Sequence, residues 1–225
     1  MSDFFFNIDL KRQDIHSLFK PQEASLFLMD VVSQIQSFQK VETSGNVLIR
    51  IDDKIRRIFF YEENRFFSLH FPFVIQKESS FDSHRNYFSG NYAFYYKDKK
   101  LTSQVISDVI RILTNDIEKK FDESPIEDFA CSVDELFYED DCGIDSKRVD
   151  FAWRIYMYLK PFEMGYLRYD HDVDHVAPNH PLNHLDINLS KECTYKIGLP
   201  DKPRPSENWF TEMCLSNPVK CINVL

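Results

Sequence analysis

The chain has 225 residues, enough for one large domain or two small ones with a buried core. Its net charge of −9 disfavours holding nucleic acid through the overall field, although a local basic groove on an acidic body stays compatible with it. Five glycines, with neither G-x-G-x-x-G nor G-x-x-x-x-G-K-[ST], argue against a phosphate-cradling loop, and an odd set of five cysteines without C-x-x-C fits free thiols in a cytoplasmic protein without membrane spans.

Along the chain, residues 21–40 place Leu28, Val31, Val32, Ile35 and Phe38 at helical spacing behind Pro21, which predicts an amphipathic helix. Val47–Ile51, Arg57–Tyr61 and Phe66–Phe73 are aromatic and β-branched runs separated by Asp-Asp-Lys and Glu-Glu-Asn turns, the pattern of an antiparallel meander. Asn86–Lys97 reads as a further strand broken at Ser89-Gly90. Leu101–Phe121 is the clearest helix, capped by Thr102 or Ser103, with a wide apolar stripe from Val105 to Phe121.

The composition then changes. From Asp122 to Asp145 there are ten acidic residues and no Lys or Arg, a solvated acidic stretch or a docking segment for a protein partner. Arg148–Leu159 is dense in Phe, Trp, Ile, Tyr and Met and is expected to be a strand rather than a buried helix. Gly165–Asp170, His184–Leu189 and Cys193–Leu199 read as three more strands, and Arg204–Leu215 as a helix capped by Ser206. The expected organisation is an α+β fold, an antiparallel β-sheet with packed helices, as a single domain or two closely packed subdomains. Its parts would be 1–121, an acidic connection over 122–146, and a His/Asp-rich β segment over 147–225.

Four of the seven histidines, His171, His175, His180 and His184, fall among Asp170, Asp172, Asp174 and Asp186. Imidazole beside carboxylate builds either an acid–base site or a metal cage. Strand alternation puts Arg168 and Asp170 on one face of their strand, and His184 and Asp186 on one face of theirs. If the two strands pair, these groups converge.

In a metal-free site, His184 or His180 removes a proton, Asp186 or Asp170 orients the ring, and Arg168 stabilises charge on phosphate. In a metal site, a divalent ion would be the cofactor, with ligands drawn from His171, His175, His180, His184 and Asp186. The histidine spacings match no specific zinc signature. A purely structural role stands beside both: a hydrated loop, a hydrogen-bonded strand histidine, and an Arg168–Asp170 salt bridge. Lys191, Lys196, Lys202 and Arg204, with Tyr195 and Trp209, could meet a phosphate backbone and its bases, or be surface cations beside core aromatics.

Arg168-Tyr169-Asp170, His180-Pro181-x-x-His184-Leu185-x-Ile187, Pro200 and Trp209-Phe210 together resemble an uncharacterised bacterial family with an RYD…HPxxHLHI…RIP…P…F signature near the C-terminus. The resemblance covers about fifty residues. A looser similarity, RYD followed by clustered histidines, links the chain to TumE-type toxins of toxin–antitoxin modules. These likenesses imply a bacterial defence or toxin-type protein acting on nucleic acid, with Arg168, Asp170, His180, His184 and Asp186 carrying phosphodiester cleavage. The chain departs from the signature in carrying Asp186 at the second histidine of HLHI, and it has no clear counterpart of the RIP arginine. If both histidines are required, the chain would be a degenerate, binding-only version; alternatively Asp186 serves as a ligand or as an orienting carboxylate. The rival expectation is a non-catalytic accessory subunit of a defence or toxin–antitoxin complex, which holds a partner through its aromatic surface and the acidic 122–145 segment.

Overall fold

A computed structural model describes residues 3–8, 21–37, 46–82, 87–118, 137, 145–160, 165–190, 193–202 and 204–215. Among them are ten strands and four helices, an α+β fold with all strand pairing antiparallel. The chain forms two compact units, each assembled from separated stretches: 1–11, 41–72 and 163–225 in the first, 12–40 and 73–162 in the second. The sequence reading instead divided the chain at 122–146. Of that acidic stretch, 122–136 and 138–144 lie outside the described residues.

The first unit is built on a seven-stranded sheet. Its strands are β1 (Asp3–Ile8), β2 (Val47–Asp52), β3 (Arg57–Glu62), β4 (Arg65–His70), β8 (Leu167–His171), β9 (Asn183–Ser190) and β10 (Cys193–Gly198), in that spatial order. One register row crosses the sheet through Phe6, Ile49, Phe60, Phe67, Arg168, Asp186 and Lys196. The same face therefore changes from apolar on β1–β4 to charged on β8–β10. The opposite face carries Phe59, Tyr61, Phe66, Tyr169 and Leu185, which pack with Leu199 and with Phe210 of helix α4 (Glu207–Leu215). Ser206 caps α4 as expected, its Oγ accepting from Trp209 N at 3.2 Å. Trp209 is half-buried and packs against this core.

The second unit holds helix α1 (Pro21–Ser37), strands β5 (Val74–Asp82), β6 (Tyr87–Tyr96) and β7 (Lys99–Lys100), and helices α2 (Ser103–Glu118) and α3 (Ser146–Leu159). β6 runs through Ser89-Gly90 without the expected break, paired residue for residue with β5. Thr102 Oγ1 accepts from Val105 N at 3.2 Å and so caps α2. The strand expected over Arg148–Leu159 is a helix. Asp145 caps it, accepting from Lys147 N, and Ala152, Ile155, Tyr156 and Leu159 are buried at helical spacing. Dense aromatics imitated a strand, but the buried positions recur every three to four residues, not every two. No helix among the described residues is long and apolar enough to cross a membrane.

Candidate functional site

Antiparallel pairing of β8 with β9 sets Arg168 opposite Asp186 and Asp170 opposite His184. Pairing of β9 with β10 adds Lys196 opposite Asp186, and pairing of β4 with β8 adds Arg65 opposite Asp170. Side-chain alternation aims all of these at one face; the sequence pattern had grouped Arg168 with Asp170 and His184 with Asp186. Asp170, His184 and Asp186 are buried, His184 completely.

Three cations surround the two carboxylates. Arg65 Nε donates to Asp170 Oδ1 at 2.5 Å, Arg168 Nε lies 2.6 Å from Asp170 Oδ2, and a terminal nitrogen of Arg168 holds Asp186 Oδ2. Lys196 Nζ is 3.0 Å from Asp186 Oδ1. The contacts of Arg168 Nε and of Asp186 Oδ1 are close ion pairs without the alignment of hydrogen bonds. Burial alone would lower the pKa of Arg168, but Tyr166, Asp170 and Asp186 outweigh it and raise the pKa, so the guanidinium stays charged. Tyr166 accepts from Arg168 at 3.4 Å, and burial pushes its hydroxyl up to about 12 against the pull of Arg168.

His184 has a fixed orientation. Its Nδ1 lies 2.8 Å from the carbonyl of Pro181, which can only accept, so Nδ1 carries a hydrogen. In the neutral ring Nε2 is then the nitrogen with the lone pair. It has no hydrogen-bond partner, and faces Asp170 Oδ2 at 3.4 Å and Asp186 Oδ2 at 4.0 Å. Gly198, opposite His184 on β10, keeps this arrangement compact: a Cβ there would meet Pro181 Cγ at 3.0 Å.

The loop histidines do not join the cluster. His175 Nδ1 and His180 Nε2 both engage Asp172, at 3.0 and 3.2 Å, and His175 is three-quarters exposed. These contacts hold Asp172 below the usual carboxylate range although burial pushes it up. His180 reaches the site only as a cover, its ring edge-on to His184 with centroids 4.6 Å apart. His171 follows Asp170 on β8 and so points to the other face, where its Nδ1 and the Tyr169 hydroxyl share Asn183 Oδ1, each at 2.8 Å.

The expected metal set of His171, His175, His180, His184 and Asp186 is therefore not assembled; among the described residues the group that converges is Asp170, His184 and Asp186, with ligand atoms within 4.8 Å of one another. Two carboxylates and an imidazole suit a divalent ion. The guanidinium of Arg168 nevertheless lies against both carboxylates, so protein charge already fills the place of a cation. The residues present fit an ion only if that guanidinium moves.

Sequence reasoning missed Arg65 and Pro181. Arg65 lies 105 residues from Asp170 along the chain, and only the β4–β8 register joins them. Of the cations expected to meet phosphate, Lys196 is committed to Asp186, and Arg204 to Asn64 Oδ1 at 3.1 Å and the Glu63 carbonyl; Lys202 is exposed and Lys191 lies outside the described residues. Compared with protein-family models, curated proteins and solved structures, the chain matches none.

Proposed function

We propose that the β8–β10 face carries metal-free acid–base chemistry on a nucleic-acid phosphodiester, in a bacterial defence or toxin-type protein. One observation carries this reading: His184 has its Nδ1 locked by Pro181 and an unpartnered Nε2 directed at two carboxylates beside Arg168. Nε2 would take the proton of a ribose hydroxyl or of water as that oxygen attacks phosphorus. Asp170 would hold the resulting imidazolium, which would return a proton to the departing oxygen. Arg65, Arg168 and Lys196 outnumber Asp170 and Asp186 by one charge, which suits an incoming phosphate. The reading requires the Asp172–Leu182 segment to lift, because His180 covers His184 and leaves it no exposure.

The same burial favours a second reading, a non-catalytic accessory or partner-binding subunit in which the cluster only ties β8, β9 and β10 together. Labelled RNA and DNA incubated with the purified chain, with and without a chelator, separate the two. Under the catalytic reading product forms despite the chelator, and His184→Gln lowers the rate at least a hundredfold with unchanged circular dichroism. Unchanged cleavage by the folded variant would overturn it. An inactive chain that co-purifies with a stoichiometric partner supports the accessory reading, and cleavage abolished by the chelator and restored by manganese or zinc supports a metal site.

A further inference from the structure

In the second compact unit, α3 aligns Lys147, Phe151, Arg154 and Tyr158 on one face by their spacing of four, three and four residues. The β6–β7 turn brings Tyr96 against that face, its ring centroid 5.0 Å from Tyr158 and 6.4 Å from Phe151. Tyr96 and Phe151 are half-buried, while Tyr158 is 37% exposed. Two ammonium groups lie over these rings: Lys99 Nζ is 5.3 Å from the centre of Phe151, and Lys97 Nζ is 5.4 Å from that of Tyr96. Of the neighbouring acids, Asp150 pairs with Arg154 at 2.9 Å and Glu78 with Lys100 at 2.6 Å, while Asp98 stands in the turn between Lys97 and Lys99 and Asp145 caps α3 beside Lys147. Among the described residues Lys97, Lys99 and Lys147 form no ion pair. Three lysines against Asp98 and Asp145 leave an aromatic surface with a positive excess of one on a chain of net charge −9.

The backbone adds an independent observation. Lys97 sits in the left-handed region, with φ 55°, at the two-residue turn between β6 and β7. An L side chain is disfavoured there and glycine is not. Packing gives no reason for lysine, since Lys97 is exposed. The two-residue hairpin itself calls for a positive φ here, as at Arg56 in the β2–β3 turn, and what lysine adds is its ammonium over the Tyr96 ring.

We propose that Tyr96, Phe151 and Tyr158, with Lys97, Lys99 and Lys147, form a binding surface for single-stranded nucleic acid. Unpaired bases stack on the accessible faces of these rings, Tyr158 above all, and the three lysines meet the phosphates. Duplex DNA keeps its bases stacked inside and offers this surface phosphate alone. The surface belongs to the second unit, so it stands whether or not the His184 face cleaves anything.

Fluorescence anisotropy with a labelled oligo(dT) of about twenty nucleotides, and with a duplex of the same length, tests it. The single strand is expected to bind more tightly than the duplex. Tyr158→Ala and Phe151→Ala should each weaken binding about tenfold. Lys99→Ala should flatten the slope of log affinity against log salt by about 0.7. Lys97→Gly should weaken binding several-fold while leaving the melting temperature unchanged or higher, an outcome that general damage to the unit cannot produce. Absence of oligo(dT) binding at low salt, equal affinity for the duplex, or binding unchanged in Tyr158→Ala and Lys97→Gly would overturn the proposal.

Discussion

Two carboxylates buried on one sheet face are an expense that the hydrophobic effect does not repay, and they persist because Arg65, Arg168 and Lys196 neutralise them. Removing one member of such a network leaves an uncompensated charge, so its residues are coupled to stability whatever their chemistry. His70 offers a simpler electrostatic case. Burial, with Arg57 and Arg56 nearby, holds its pKa below 6.5. The unfolded chain therefore takes up this proton at higher pH than the folded chain does, so stability falls as pH drops through 6.5 towards the folded value. His70→Gln should flatten the decline in the urea midpoint between about pH 7 and pH 5 relative to the parent chain. An identical decline in both proteins would assign it to other groups.

Elements illustrate what pattern reading resolves. The strands β8 and β9 were legible because Arg168 alternates with Tyr169, and His184 and Asp186 with Leu185 and Ile187, polar against apolar at period two. Helix α3 was not, because Phe151, Trp153, Tyr156 and Tyr158 supply aromatic density on more than one side and blur its stripe. Docking of α4 rests on a buried contact that no local pattern announces. Tyr61 Oη and Thr211 Oγ1 are 2.5 Å apart, and Thr211 donates to the Glu207 carbonyl at 2.9 Å, so Tyr61 is the donor. Burial pushes the Tyr61 hydroxyl up to about 12, above the lowering effect of Thr211. Tyr61→Phe should cost about 1 kcal/mol in urea unfolding. No loss would mean that apolar packing alone seats the helix.

At the scale of the whole molecule, the first unit cannot be cut from one continuous stretch. Its sheet takes β1–β4 from the first seventy residues and β8–β10 from beyond residue 166. A fragment ending at residue 160 keeps β4 but loses β8, exposing the edge of β4 and uncovering Phe59, Tyr61 and Phe66, which the full chain packs with Tyr169, Leu185 and Phe210. The fragment should self-associate in size-exclusion chromatography and lose most of its near-ultraviolet circular dichroism. A monomeric fragment with native-like aromatic signals would show that β1–β4 suffice.

The sequence by itself determined the α+β class, most strands and helices, two helix caps and the side of β8 and β9 to which Arg168, Asp170, His184 and Asp186 point, because these follow from local periodicity and capping chemistry. Tertiary structure alone decided the rest. It placed β8 beside β4, brought in Arg65, paired Lys196 with Asp186 and diverted His175 and His180 to Asp172. The first two depend on which distant strands pair and in what register, and spacing along the chain carries no record of partners more than a hundred residues apart. The others are local choices among several nearby acids, which periodicity does not rank.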